Sequence, residues 1–132
     1  MGVVSYLLDT GTFLWAVRGS SNLSNNALEV LNDANIVKYI SSVSAFEIMN
    51  RFRIGKLSGF EDVASVYLNF AKTLRAVKLP ITEEHVYYAG KFEWEHRAPF
   101  DRLLAAQAYI EKLTIITSDS AFHTLSWVFV LL

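Results

Sequence analysis

Four carboxylates, Asp9, Glu47, Asp101 and Asp119, stand where short apolar runs give way to turns or helix starts. Packed together without a cation they would repel, and at least one would be forced to keep its proton. A hard divalent ion removes that conflict: magnesium takes oxygen ligands and needs only one or two direct carboxylates. Two such ions, ~3.5–4 Å apart, can activate a water and hold the leaving oxygen of a phosphodiester. The residue types therefore suit phosphodiester hydrolysis. Each acid also has a plain structural reading: Asp9 as the cap of a following turn, Glu47 as the reciprocal partner in a capping box, Asp101 as a charge on a helix dipole, Asp119 as an N-cap. Taken singly the structural readings lead. Their convergence on one edge makes an acidic metal site the competing one.

The elements that must position these acids follow from patterning. Val3–Leu8 is a continuous apolar run ending at Asp9-Thr10-Gly11, a buried strand and a turn. Helices are expected over Thr12–Val17 and over Ser24–Asp33, the second with Ser24 as N-cap. Ile36–Ile40 is a second strand. Ser44-Ala-Phe-Glu47 has the form of a capping box, opening a helix to about Ile54 that Gly55 stops. Residues 61 to 72 carry Val63, Val66, Tyr67 and Phe70 at helical spacing. Leu74–Leu79 reads as a strand, Thr82 to Phe92 as a helix, and Phe100 to Lys112 as a helix with Pro99 in its first turn. Strands at Leu113–Thr117 and Trp127–Leu131 complete the chain. Strands separated by helices imply crossovers and a mainly parallel five-stranded sheet with helices on both faces. Functional groups of such a sheet gather beyond the carboxyl ends of the strands, which places all four acids on one edge.

Length and composition bound the rest. The 132 residues fit a single domain over 1–132, and 52% hydrophobic residues supply a full core. Charged residues are 19%, below the roughly 25% usual for soluble domains, so either the core is large or a partner covers apolar surface. A net charge of −1 argues against a nucleic-acid coat protein but not against a nuclease, whose acidic ligands cancel basic contacts. The absence of cysteine excludes disulfides, zinc–thiolate sites and thiol nucleophiles. With no apolar run near the ~18–20 residues of a bilayer span and no signal-peptide pattern at the start, a cytoplasmic protein without membrane association is expected.

The motifs around the acids resemble a known family. Tyr6-Leu-Leu-Asp9-Thr10-Gly11-Thr12, Ser42-Val-Ser44-Ala-Phe-Glu47, His96-Arg97-Ala98-Pro99-Phe100-Asp101-Arg102-Leu103-Leu104-Ala105-Ala106-Gln107 and Thr117-Ser118-Asp119 are similar, in order and over nearly the whole chain, to the four motifs of VapC-type PIN-domain toxins. The resemblance implies a PIN-like three-layer α/β fold and a magnesium- or manganese-dependent ribonuclease. It implies an RNA substrate such as tRNA, a homodimer, and silencing by a cognate antitoxin. Asp9, Glu47, Asp101 and Asp119 would be the catalytic and metal-binding acids, with Thr10 and Thr117 supporting them by hydrogen bonds. Family members often carry an acid where this chain has Ala98, so a contact behind the metal ligands is altered.

Arg51, Arg53, Lys56, His96, Arg97 and Arg102 lie beside the acids. They are either phosphate contacts or, for Arg53 above all, a solvated helix face. Arg102 is placed equally well against an acid or a phosphate. His85 and His123 read as structural or surface residues. Phe13, Trp15, Phe46 and Phe52 are expected mainly in the core, with some exposed where an antitoxin segment would sit. Gly55-Lys56 lacks the remainder of a nucleotide-binding P-loop, since Leu57 follows. Two other readings stand beside the ribonuclease. One is a catalytically silent module of the same fold. The other is a receiver-like signalling domain, which would need paired acids after the first strand, where residue 10 is Thr.

Overall fold

The structure, a computed structural model, describes residues 3–19, 22–65, 67–96 and 98–131. Its elements are β1 (Tyr6–Leu8), α1 (Thr10–Arg18), α2 (Asn25–Asn32), β2 (Lys38–Ser41), α3 (Ser42–Arg53), α4 (Glu61–Ser65), α5 (Tyr67–Thr73), β3 (Val77–Leu79), α6 (Glu83–Lys91), α7 (Pro99–Glu111), β4 (Thr114–Ile116), a one-turn 3-10 helix (Ser120–Thr124) and β5 (Val130–Leu131). The strands pair in the order β3-β2-β1-β4-β5, and every pairing is parallel. The expected α/β architecture is present, with a sheet that is wholly rather than mainly parallel.

Alternation along β1 sends successive side chains to opposite faces. Leu8, with Ile40 and Ile116, packs under Phe13, Ile48 and Val63 from α1, α3 and α4. Leu7, with Ile115, packs under Leu104, Ala105, Ala108 and Phe122. Helices therefore cover both faces. Ala105, Ala106 and Ala108 of α7 are buried, Ala105 and Ala108 against the sheet.

Several boundaries differ from the sequence reading. The first strand begins at Tyr6 because its pairing begins there, opposite Lys38 and Thr114; Val3 is 82% exposed. Asp9-Thr10-Gly11 is not a turn outside a helix: Asp9 caps α1, and Thr10 is its first residue. The capping box at Ser44–Glu47 does not form. Ser41, in extended backbone at the end of β2, is the N-cap and accepts from Val43 N–H. Glu47 thereby falls in the second turn of α3, not the first. The helical stretch 61–72 is described as α4 and α5, with Val66 outside the described residues. At the start of the third strand, Arg75 takes a positive φ of 56°, so the chain turns there and pairing waits until Val77.

Lys38 is 3% exposed. Its ammonium donates to the carbonyls of Val30, Leu31 and Asp33 at 3.3, 3.3 and 2.8 Å, satisfying the free C-terminal carbonyls of α2. Among the described residues no helix is long and apolar enough to cross a membrane.

Candidate metal centre

Strand order reverses beside β1: the chain runs outward to β2 and β3, then returns across β1 to β4. The carboxyl ends of β1 and β4 therefore bound the crevice where an open parallel sheet binds ligands. Asp9 leaves β1 directly, and Thr117, Ser118 and Asp119 leave β4. Asp101 enters the same crevice from the first turn of α7, where Pro99 holds the first helical position.

Asp9 is fixed by both oxygens. Oδ1 accepts from Thr12 N–H at 2.7 Å, and Oδ2 accepts from the Thr117 hydroxyl. Burial pushes its carboxyl above the ordinary 3.8, the two threonines pull it down, and the charge of Asp119 adds to the rise. Asp101 is raised in the same way, by burial first. The hydrogen bond and charge of His96 oppose the shift, and Asp119 and Asp9 reinforce it. Three acids thus meet at one place and repel one another. Asp119 accepts from Ala121 N–H at 2.9 Å while its own N–H donates to Thr117 Oγ1 at 2.9 Å. Its helix-capping geometry and its place in the crevice therefore coexist.

His96 belongs to this group. Its Nε2 lies 2.6 Å from Asp101 Oδ2. One potential ligand atom each from His96, Asp101 and Asp119 lie within 4.8 Å of one another, a donor set that a hard or borderline divalent ion accepts. From the sequence, His96 read only as a phosphate contact or part of a solvated face. The signal available was its spacing from Asp101 across a proline-initiated helix start.

Glu47 stands behind the crevice. It is 7% exposed, accepts from Thr10 Oγ1 at 2.6 Å, and receives the Arg51 guanidinium at 2.6 Å one helical turn on. Ser44 Oγ lies 2.9 Å from the same threonine hydroxyl. Glu47 is therefore linked directly to Thr10, the residue adjoining Asp9, while its own charge is matched by Arg51.

Among the described residues Arg102 pairs with no acid. It donates to the carbonyls of Ala89, Trp94, His96 and Phe92 at 3.0, 3.2, 3.3 and 2.5 Å and lies over the Phe92 ring. It holds the segment that carries His96. Ala98 is the N-cap of α7 and makes no side-chain cap. Arg53 bonds Asn50 on an exposed face, and Arg97 lies outside the described residues. His85 is buried: it forms the capping box of α6 with Thr82 and meets Glu111 at 2.8 Å, so it is structural. Phe13 is core, whereas Phe46 and Phe52 are 63% and 42% exposed.

The PIN domain family pattern matches residues 6–128. The chain belongs to the PIN domain family. This PIN domain shares its fold with a chain of VapBC2 from Rickettsia felis bound to a promoter DNA fragment (TM-score 0.73, 20% identity, covering 97% of this chain and 98% of that one). A chain of DNA-bound VapBC from Salmonella typhimurium aligns with TM-score 0.73 at 18% identity over 98% of both chains. VapBC-1 from nontypeable Haemophilus influenzae aligns with TM-score 0.70 at 17% identity over 97% of both. A comparison with the curated proteins finds no match. The resemblance to VapC-type PIN domains, and the fold it implied, are borne out.

Proposed function

We propose that this PIN domain is a divalent-metal-dependent endoribonuclease acting in the cytoplasm, the toxin of a toxin–antitoxin pair. The observation that carries the reading is the meeting of Asp9, Asp101 and Asp119, with His96, at the switch point of the sheet. Asp101, Asp119 and His96 would hold the first magnesium or manganese ion, with Asp9 facing them and Glu47 behind. When bound, the metal supplies Lewis acidity and positive charge beside a phosphodiester. The protein's part is positional. Thr117 and the α1 N-terminus aim the Asp9 carboxylate, Arg102 fixes the segment of His96, and Arg51 offsets the charge of Glu47. Raised carboxyl pKa values fit a site built for a cation, since a metal relieves the repulsion that otherwise favours protonation.

The matched structures are complexes of VapBC type, and a protein antitoxin is the partner proposed here. The exposed Phe46, Met49, Phe52 and Ile54 of α3 and its C-cap supply apolar surface for such a partner or for a second copy in a homodimer.

Thermal unfolding with and without manganese tests the centre. A ligand that binds only the folded state adds about 2.7 kcal/mol at 100 times its Kd. Manganese should raise the midpoint of the wild type and leave Asp101→Asn unmoved. Manganese-dependent cleavage of RNA should vanish in Asp9→Asn. Retained cleavage in that variant, or no metal response in the wild type, would overturn the reading and favour a silent module.

A further inference from the structure

A groove of about 1010 Å³ opens against the metal centre. Residues 93–96, leading into α7, form one wall and residues 121–127, around and beyond the 3-10 helix, form the other, with His96 shared between groove and centre. Its walls combine two indoles, Trp94 and Trp127, with two carboxylates, Glu93 and Glu95, and the hydroxyls of Thr124 and Ser126.

The indoles are held rigidly. Trp94 Nε1 donates to Thr124 Oγ1 at 2.7 Å, across the groove from one wall to the other. Its ring lies 4.8 Å from His96 and 5.5 Å from Phe122, centroid to centroid. Trp127 meets the Phe92 ring edge-on at 4.8 Å, and Phe92 is itself pinned by Arg102 at 4.4 Å. Fixed aromatic rings are the surfaces on which unpaired bases stack, at little cost in side-chain freedom. The glutamates flank Trp94 in sequence and are exposed, and among the described residues no cation pairs with either. Carboxylates at this position repel a phosphate and accept from N–H donors. Of the four RNA bases, guanine alone presents two adjacent donors, N1–H and the N2 amino group, to one carboxylate.

We propose that this groove is a base-recognition subsite, taking a guanine of the RNA next to the scissile phosphate. The base stacks on an indole and its Watson–Crick edge meets Glu93 and Glu95. The inference rests on the ribonuclease reading for its substrate class, and it gives that reading a specificity that the acids cannot supply.

The test is tryptophan-fluorescence titration of the full chain in EDTA, so that nothing is cleaved, with uridine hexanucleotides carrying guanine, inosine, adenine or no replacement at one central position. Guanine should tighten binding by ~10-fold over adenine or uracil, with inosine, which lacks the N2 amino group, between them. In Glu93→Gln/Glu95→Gln, both exposed, that preference should shrink to about 2-fold or less while affinity for the all-uridine strand holds or rises. Equal affinity for all four strands overturns the subsite. So does a preference that survives the double substitution, or, in a separate titration without EDTA or RNA, a manganese-induced fluorescence change lost in the double variant but kept in Asp101→Asn, which would make the groove a cation site. Guanine preference in a protein without any metal response would keep the subsite and remove the nuclease. Metal-dependent cleavage without base preference would do the reverse.

Discussion

Thr10 and Glu47, 37 positions apart in the chain, share a buried hydrogen bond of 2.6 Å. It ties the first turn of α1 to the second turn of α3 and sets the distance from Asp9 to the acid behind it. Thr10→Val removes the one hydroxyl donor to that Glu47 oxygen among the described residues and should cost about 1–3 kcal/mol in urea unfolding. Glu47→Gln keeps an acceptor and leaves the half-exposed Arg51 without its partner, so it should cost less than about 1 kcal/mol. A neutral Thr10→Val would show that the bond contributes nothing.

Arg102 should be among the least replaceable side chains. Lysine keeps the charge but cannot reach the carbonyls of Ala89, Phe92, Trp94 and His96 together. Arg102→Lys should lower stability by about 2–4 kcal/mol and weaken the manganese response, because His96 loses its anchor. Unfolding curves and metal titrations of one preparation check both; an unchanged manganese affinity would separate Arg102 from the centre.

Both raised carboxyls have a definite pH consequence. Asp9 and Asp101 hold their protons more tightly folded than unfolded. In the metal-free protein their contribution to stability is fully present below the ordinary 3.8. It is lost as pH rises through the raised folded values. Manganese reverses the trend, since it binds the ionised carboxylates, and its affinity should fall by about tenfold for each unit by which the pH is lowered, per proton displaced, within that window. Stability difference curves between wild type and Asp9→Asn/Asp101→Asn, with and without manganese, read both slopes. Parallel curves in the absence of metal would refute the shifts.

Ala98 leaves the N-terminus of α7 without a side-chain cap. Ala98→Asp should restore one and add about 1 kcal/mol, measured with manganese present, when the neighbouring acids are neutralised. Without metal the new charge beside Asp101 should erase most of that gain. Equal effects in both conditions would mean that residue 98 does not feel the centre.

The fold was legible because its strands are short apolar runs, and burial on both faces leaves a parallel sheet no other pattern. Asp101 was legible because Pro99 marks a helix start. What could not be read were interactions set by tertiary proximity. Ser44 and Glu47 imitate a capping box in their spacing, but Ser41 ends β2 in the extended conformation that a cap requires, so Ser44 is free to meet Thr10 instead. Gly11 suggested a turn, although Asp9 had already begun the helix. Arg102 suggested an ion pair, and its partners are backbone carbonyls, which have no signature in a sequence.

The placement of β1 at the middle of the sheet, between β2 and β4, bears on how the protein is made. Synthesis delivers the central strand before either of its neighbours, and Asp101 and Asp119 emerge 92 and 110 residues after Asp9. A ribosome-bound or truncated chain cannot bring Asp9 together with its partners, because the long-range parallel pairing that does so is the last to close. If the activity is harmful to the cell that makes it, the strand order itself delays that activity until β4 and the turn after it have been made.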